Sequence, residues 1–378
     1  MPKIAADVPH VADAGLMHSV IQRVATGPEL SKNISYDEAR SVMNALLDGV
    51  ADPVQAAVFL IGLRMKRETS DEFKGVLDAL RDATTQVQTA TDQVVSFSDP
   101  YNGFNRTLHA SLFALPVIAA CGVSAYSNGV AMAGPKFGVT HHAIIKALGG
   151  DPLRPMEELA RRLDDKSIGW GYADQSVFCS KLHGLNSLRQ KIIKRPVLST
   201  TEVMLSPVDG RLKTHLVTGY VHKPYREIYA MLARHMNYDS LLLVRGTEGG
   251  VIPSFRARVH LLRYDSETTE KEHDIELERM QLARDYRAED IPVTVPAPAS
   301  PSAPQGMKWD IDALAALCAE KGLRALDGEQ GAVYDAAVIG CALTLWHTGH
   351  SSSLTEAASS ARAAIKSGEA LKRLQAGL

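Results

Sequence analysis

Cysteine is scarce in this chain of 378 residues. The four, Cys121, Cys179, Cys318 and Cys341, lie far apart and form no Cys-x-x-Cys pair. That argues against a disulfide-framed secreted scaffold or a cysteine-rich zinc motif, and reads as buried, reduced thiols. No charge of one sign dominates either. The formal net charge is -2, which excludes a surface blanketed in positive charge for nucleic acid but leaves room for a local basic patch. Long apolar runs are missing too. The stretches at 112–123 and 241–244 fall short of the roughly 20 residues a spanning helix needs. Lys3 is followed by no continuous apolar stretch, so no signal peptide is expected, no membrane contact, and a cytoplasmic location. Gly246-Thr-Glu-Gly-Gly250 is glycine-rich but lacks the lysine of a P-loop. No Ser-His-Asp or Cys-His arrangement shows in the spacing.

What is present suits a folded globular protein. The chain is 45% hydrophobic and 22% charged, with length enough for a small and a large domain. Residues 1–92 read as a mainly helical unit. Ser35-Tyr-Asp-Glu38 and Thr69-Ser-Asp-Glu72 have capping-box spacing, and Asp52-Pro53 starts a helix between them. Three short amphipathic helices follow from the apolar positions. From residue 93 the texture changes to strand, loop, helix, strand, loop, helix. Val94 to Phe97 and Gly122 to Tyr126 read as strands, 108–121 as a helix, and Asn128-Gly129 as a turn. Leu241 to Val244 reads as a buried strand. Loops at the carboxyl ends of such strands form the ligand crevice of an α/β sheet. Three are candidates: 99–106, 128–141 and 246–254. Residues 264–306, charged and then proline-rich, read as a surface excursion with an extended connector.

The opening caps, with Leu63-Arg-Met-Lys66 between them and Ser353-Leu-Thr-Glu356 near the end, resemble anthranilate phosphoribosyltransferase. The likeness runs over nearly the whole chain, apart from about the first fifteen residues and the excursion. It implies glycosyltransferase family 3 and the fold class shared with nucleoside phosphorylase. That class is α/β: a small N-terminal helical domain plus a large α/β domain, 93–378, with a mainly parallel central sheet. Part of the helical domain is expected to return from 165–200. A homodimer through the helical domain is also implied.

The resemblance implies a donor, phosphoribosyl pyrophosphate, held with Mg²⁺ by a Gly-Thr-Gly-Gly-Asp loop, an Asn-x-Ser-Thr, a Lys-His-Gly-Asn and an Asp-Glu pair. The matching stretches here are Asp99-Pro-Tyr-Asn-Gly103, His109-Ala-Ser-Leu112, Ser127-Asn-Gly-Val130 and Val251-Ile252. Pro100 has no N–H to offer a phosphate, Asp99 places a carboxylate where a phosphate should approach, and both magnesium ligands are replaced. The motifs resemble more closely a divergent branch of the family, linked to nucleic-acid binding as dimers. The remaining donor-site candidates are Asn102, Gly103, Thr107, Ser111, Asn128, Gly129, Lys136 and Gly138, with His141, Thr247 and Glu248 on the crevice loops. No cofactor is expected beyond Mg²⁺ accompanying that donor. No metal site is expected; His141 and His142 are adjacent and point apart on a helix, one to the crevice and one to the surface.

Residues 181–195 carry Lys181, Arg189, Lys191, Lys194 and Arg195. Three readings fit the run: a solvated helix face, phosphate contacts along single-stranded nucleic acid, and, at Arg189, a bidentate grip on the carboxylate of an acceptor. Two functions stay open: a pentosyl transferase with altered donor loops, and a non-catalytic binding protein reusing the cleft for a small anion or nucleic acid.

Overall fold

The computed structural model describes residues 14–27, 29–256, 258–266 and 269–378. The stretch after Lys3, on which the signal-peptide expectation rests, lies outside them. The helical part is α1 (Ala14–Val24), α2 (Tyr36–Leu47), α3 (Pro53–Lys66) and α4 (Ser70–Asp82). The last three are those the sequence predicts, and α1 is additional. Ser35 and Thr69 form reciprocal boxes with Glu38 and Glu72, and Asp52 accepts from the N–H groups of Val54 and Gln55. These caps satisfy donors that a helix start otherwise leaves bare.

The strands are β1 (Val87–Gln88), β2 (Gln93–Ser98), β3 (Ser124–Gly129), β4 (Trp170–Asp174), β5 (Val208–Asp209), β6 (Lys213–Tyr220), β7 (Ser240–Arg245), β8 (Val259–Asp265) and β9 (Lys271–Ile275). Seven make one sheet in the order β4-β3-β2-β6-β7-β8-β9, and β1 pairs with β5. The sheet is parallel from β4 to β7; β8 and β9 add antiparallel pairs. Strand side chains alternate between two cores. Val95, Phe97, Val217, Leu242 and Val244 face one, and Val94, Tyr126, Leu216, Leu241 and Leu243 the other. The order reverses direction at β2, which has β3 on one side and β6 on the other. That is the switch point where α/β sheets open a crevice.

The helices of this part are α5 (Ala114–Ala120), α6 (His141–Ala147), α7 (Met156–Asp164), α8 (Gln175–Phe178), α9 (Ser180–Gly184), α10 (Asn186–Ile192), α11 (Leu198–Thr201) and α12 (Pro224–His235), then α13 (Ile311–Leu326), α14 (Ala332–His347), α15 (Leu354–Lys366) and α16 (Glu369–Gly377). Helix α9 meets α2, α10 meets α3, and α11 meets α4. Among the described residues no helix is long and apolar enough to cross a membrane.

Four expectations are corrected. Asn128 and Gly129 do not turn the chain; they end β3, paired with Ala173 and Asp174. The helix expected over 108–121 starts only at Ala114, after a short 3-10 turn at Ser111–Phe113. The charged segment is not a surface excursion throughout: β9 and the last two residues of β8 lie within it and belong to the main sheet. The proline-rich stretch beyond is not extended as expected but passes through turns closed by Val295, Ala303 and Met307, and it is anchored. Ile291 and Val295 are buried, and Trp309 donates its indole N–H to the Asn105 carbonyl at 2.9 Å.

Candidate functional site

The cleft lies beyond the carboxyl ends of β2, β6 and β7, where α3 and the segment after α10 close over them. It is lined by Arg64, Asn102, Arg195, Tyr225, Tyr229 and Glu248, among others. With its amide oxygen facing Arg195, Asn102 accepts from Nε at 3.0 Å and Nη2 at 3.3 Å. Arg64 donates to the Tyr225 hydroxyl and lies 5.7 Å from that ring's centre. Around the mouth, Arg64, Arg67, Lys194 and Arg195 are solvent-exposed and line the neighbouring depression.

Most of the predicted donor-site residues are spent on one another. Glu248, after β7, accepts from the backbone N–H of Arg106 and Thr107 at 2.9 Å each, from Asn105 N–H at 3.3 Å, and from the Thr107 hydroxyl at 3.1 Å. It also pairs with the Lys136 ammonium. Burial would raise the Glu248 carboxyl; Lys136 and the N–H donors outweigh it and hold it low. Burial lowers Lys136, against the pull of Glu248. Lys136 and Thr107 therefore face no open cleft. Gly103 and Gly138 serve a crossing of two loops. A Cβ on Gly103 would sit 2.5 Å from the Gly138 carbonyl oxygen, and one on Gly138 2.4 Å from the Phe104 nitrogen. Thr247 is buried away from the cleft.

Behind this lies a buried polar cluster. Asp99 turns inward, not toward a phosphate position. It accepts from Ser111 Oγ at 2.5 Å, His109 Nε2 at 3.2 Å and Val251 N–H at 2.9 Å. The other ring nitrogen of His109, Nδ1, lies 3.0 Å from the Val139 carbonyl oxygen. His141 bridges Ser111 and Ser127 at 2.9 Å each and stacks on His109. Burial would raise Asp99; the hydrogen bonds and charge of the histidines outweigh it and hold it at about 2. Burial drives His141 down to about 3. His141 therefore does not line the crevice as expected, and half-buried His142 bonds Asp174 at 2.8 Å. One ligand atom each from Asp99, His109 and His141 fall within 4.8 Å of one another, a metal-like grouping that sequence spacing concealed. Its hydrogen bonds close among protein atoms. Asn128 is buried too, accepting from the Tyr101 hydroxyl at 2.9 Å and Ser98 at 3.2 Å. Gly129 abuts the Tyr172 hydroxyl.

The basic run scatters. Arg189, expected on a surface or at an acceptor, is 2% exposed and grips Glu202 at 2.6 and 2.7 Å. Lys181 bonds Asp48 on the helical part at 2.7 Å. Lys191 borders an apolar groove under α1 and α3. Lys194 and Arg195 reach the cleft mouth. Arg64, Tyr225, Tyr229 and Glu202 were missed as site residues; the Arg64-Met-Lys-Arg67 end of α3 was the available signal for the first.

A magnesium–diphosphate pair needs oxygen ligands that are free to bind. Val251 and Ile252, the pair expected at the family's Asp-Glu position, are buried in the core. The nearby carboxylates Asp99, Glu202 and Glu248 are each held by protein donors. The residues present do not fit the group.

The model of the glycosyl transferase family's helical bundle domain matches residues 18–84. An uncharacterised protein of Aquifex aeolicus is 28% identical over 59% of this chain and 65% of its own length, so the chain spans just under two thirds of that relative. Anthranilate phosphoribosyltransferase of Chlamydia caviae is 25% identical over 90% of this chain and 91% of its own. The structure of the Thermus thermophilus anthranilate phosphoribosyltransferase superposes with a TM-score of 0.72 at 19% identity, over 96% and 97% of the two chains. The Saccharomyces cerevisiae enzyme in complex with PRPP and Mg gives 0.73 at 14% identity over the same shares. The chain is anthranilate phosphoribosyltransferase-like, with the glycosyl transferase helical bundle at its start.

Proposed function

We propose that this anthranilate phosphoribosyltransferase-like chain binds an anionic ligand in its cleft and does not transfer a phosphoribosyl group from a magnesium-bound donor. The observation that carries the reading is the state of the carboxylates. Each one beside the cleft already accepts from protein donors, and Val251 and Ile252, expected at the magnesium pair's place, lie in apolar core. The cleft keeps cations: Arg64 and Arg195, with Asn102 and Tyr225 between them. Isothermal calorimetry with millimolar phosphoribosyl pyrophosphate is expected to show no magnesium-dependent heat. Heat that requires magnesium, or pyrophosphate release on adding an aromatic acid, overturns the proposal.

A second reading rests on the exposed mouth. Arg64, Arg67, Lys194 and Arg195 border one depression together with Tyr225. Cations along an edge with an aromatic ring suit a single-stranded nucleic acid, whose phosphates and bases use those two features. Lys194→Ala with Arg195→Ala is expected to weaken binding of single-stranded DNA and to lower the salt slope by about 1.4, for two lost phosphate contacts. Binding that is indifferent to salt, or a double variant that binds like the wild type, removes this edge from the reading. A homodimer through the helical part and a cytoplasmic location belong to the same proposal. Val54 and Met65 on α3 are 71% and 73% exposed beside the apolar groove, and the four cysteines are unbridged.

A further inference from the structure

The four cysteines lie far apart in sequence, and the fold brings two of them together. Cys121 ends α5 and Cys341 lies within α14, 220 residues further on, yet the Cys341 thiol donates to the Cys121 sulfur at 3.9 Å. The two helices meet closely here. Ala114 and Cys121 are about two turns apart and share one face of α5, and a Cβ on Gly340 would lie 2.8 Å from the Ala114 Cβ. A side chain at 340 would push the helices, and with them the sulfurs, apart. Cys179 and Cys318 take no part in this contact. Cys179 Sγ faces the Leu80 carbonyl oxygen at 3.9 Å, and Cys318 is buried on α13.

The two thiols are unlike. Cys341 is 0% exposed, and burial, then the neighbouring Cys121, pushes its thiol well above the ordinary range. Cys121 is partly exposed, not buried as the sequence suggests. The hydrogen bond from Cys341, joined by the charge of Arg373, outweighs its partial burial and lowers its thiol. The thiolate is the form that attacks an oxidant, and an accessible, lowered thiol beside a second cysteine is where oxidation concentrates. Ala119 and Gly122, on either side of Cys121, line a depression with Arg373 at the amino ends of β2 and β3. That is the end of the sheet opposite the cleft, so the pair is a separate place on the molecule.

We propose that Cys121 and Cys341 are an oxidisable thiol pair that a hydroperoxide closes to a disulfide within the chain, with Cys121 attacking the oxidant and Cys341 resolving the product. In the first step the Cys121 sulfur takes one oxygen of hydrogen peroxide. The S–O bond forms, the O–O bond breaks, and the other oxygen leaves as water with the Cys121 proton. In the second step the Cys341 sulfur attacks the sulfenic sulfur of Cys121. The S–S bond forms, the S–O bond breaks, and the hydroxyl leaves as water with the Cys341 proton. Each sulfur gives up one electron and the peroxide takes both, ending as two waters. The sulfurs must close from 3.9 Å to about 2.05 Å. Cys121 can supply that movement because it sits at a helix end, where the last turn frays. The bridge would tie α5 to α14 and restrict the unfolded chain over a long loop.

The test is hydrogen peroxide added stepwise to the folded full chain, with the remaining thiols alkylated after unfolding and the products mapped by peptide mass spectrometry. Two of the four thiols are expected to disappear together, in one linked pair of peptides carrying Cys121 and Cys341, and dithiothreitol should restore both. In Cys341→Ala the link should vanish and dimedone should trap a sulfenic acid on Cys121, whereas Cys121→Ser should leave Cys341 unoxidised. Before any oxidant, iodoacetamide should label Cys121 at least ~10-fold faster than the other three cysteines. Should either variant fail to fold, the wild-type peptide map decides alone. Four thiols that persist in excess peroxide overturn the proposal. So does oxidation of Cys121 that leaves Cys341 free, or a bridge that involves Cys179, Cys318 or a second chain.

Discussion

Arg189→Ala is expected to lower the stability of the fold by about 3–5 kcal/mol, the range for removing one partner of a buried ion pair. Arg189 and Glu202 are each 2% exposed at the side chain and meet through two hydrogen bonds, at 2.6 and 2.7 Å. Gln175 donates a further bond to Glu202 at 3.2 Å. Without the guanidinium, the carboxylate stays out of water with a single amide donor. The loss comes from that stranded charge, not from the net worth of the pair. The double variant Arg189→Met with Glu202→Leu removes both charges and is expected to recover most of it, since apolar replacements of buried pairs are often neutral. Urea denaturation of the wild type and both variants checks this. A single variant within about 1 kcal/mol of the wild type would mean that water reaches the pair. There is a functional consequence as well. Glu202 lines the cleft, and an unpaired carboxylate there would repel an anionic ligand. Arg189 therefore acts on the cleft through Glu202, by keeping its charge neutralised.

This pair also shows why the site was harder to read than the fold. In sequence, Arg189 belongs to a basic run, and its partner lies 13 residues on, past the end of that run. Nothing local distinguishes a lysine that reaches solvent from an arginine that turns inward. The Glu248 cluster is further out of reach, because Glu248 and the N–H groups it accepts from are 141 to 143 residues apart. The fold was more legible because much of it is local. Ser35 and Glu38 cap each other within one turn of helix, and the apolar run 241–244 makes a buried strand wherever it lands. The failure at β8 and β9 has the same cause in reverse. They form the outer end of the sheet, where His260, Asp265, Lys271, Glu272 and Asp274 face solvent. Charges on edge strands guard against pairing with other chains, and they disguise the strand as a loop. Asn128-Gly129, a frequent turn pair, was misread because its asparagine finds side-chain donors inside the sheet.

Acidification from pH 6.5 is expected to unfold the protein before Asp99, held at about 2, is protonated. Three buried histidines set this. Burial lowers His141 to about 3 and His215 to about 4, and takes His347 well below its ordinary value. His215 and His347 share the Ser240 hydroxyl, at 2.7 Å from each. In the unfolded chain each histidine binds a proton near pH 6.5. The folded chain refuses those protons until a lower pH. Between these values the unfolded state holds more protons, so stability rises with pH and falls on acidification. The contribution is complete above about pH 6.5 and is lost as pH falls toward the folded values. Each neutral histidine adds about 1.4 kcal/mol per pH unit inside its window, so three give a slope on the order of 4 near pH 5. Asp99, held at about 2, acts later. Its share is full above the ordinary carboxylate range and is lost only as pH falls toward 2. Against a typical stability of 5–15 kcal/mol, the histidine slope alone brings the midpoint of acid unfolding to about pH 4–5. Urea midpoints measured from pH 7 to pH 5 should fall steeply, and His347→Gln, which removes one group, should flatten the slope by about a third. Equal midpoints at pH 7 and pH 5 would mean that these rings take up protons in the folded chain, and the buried Ser240 bridge would then have to open to admit them.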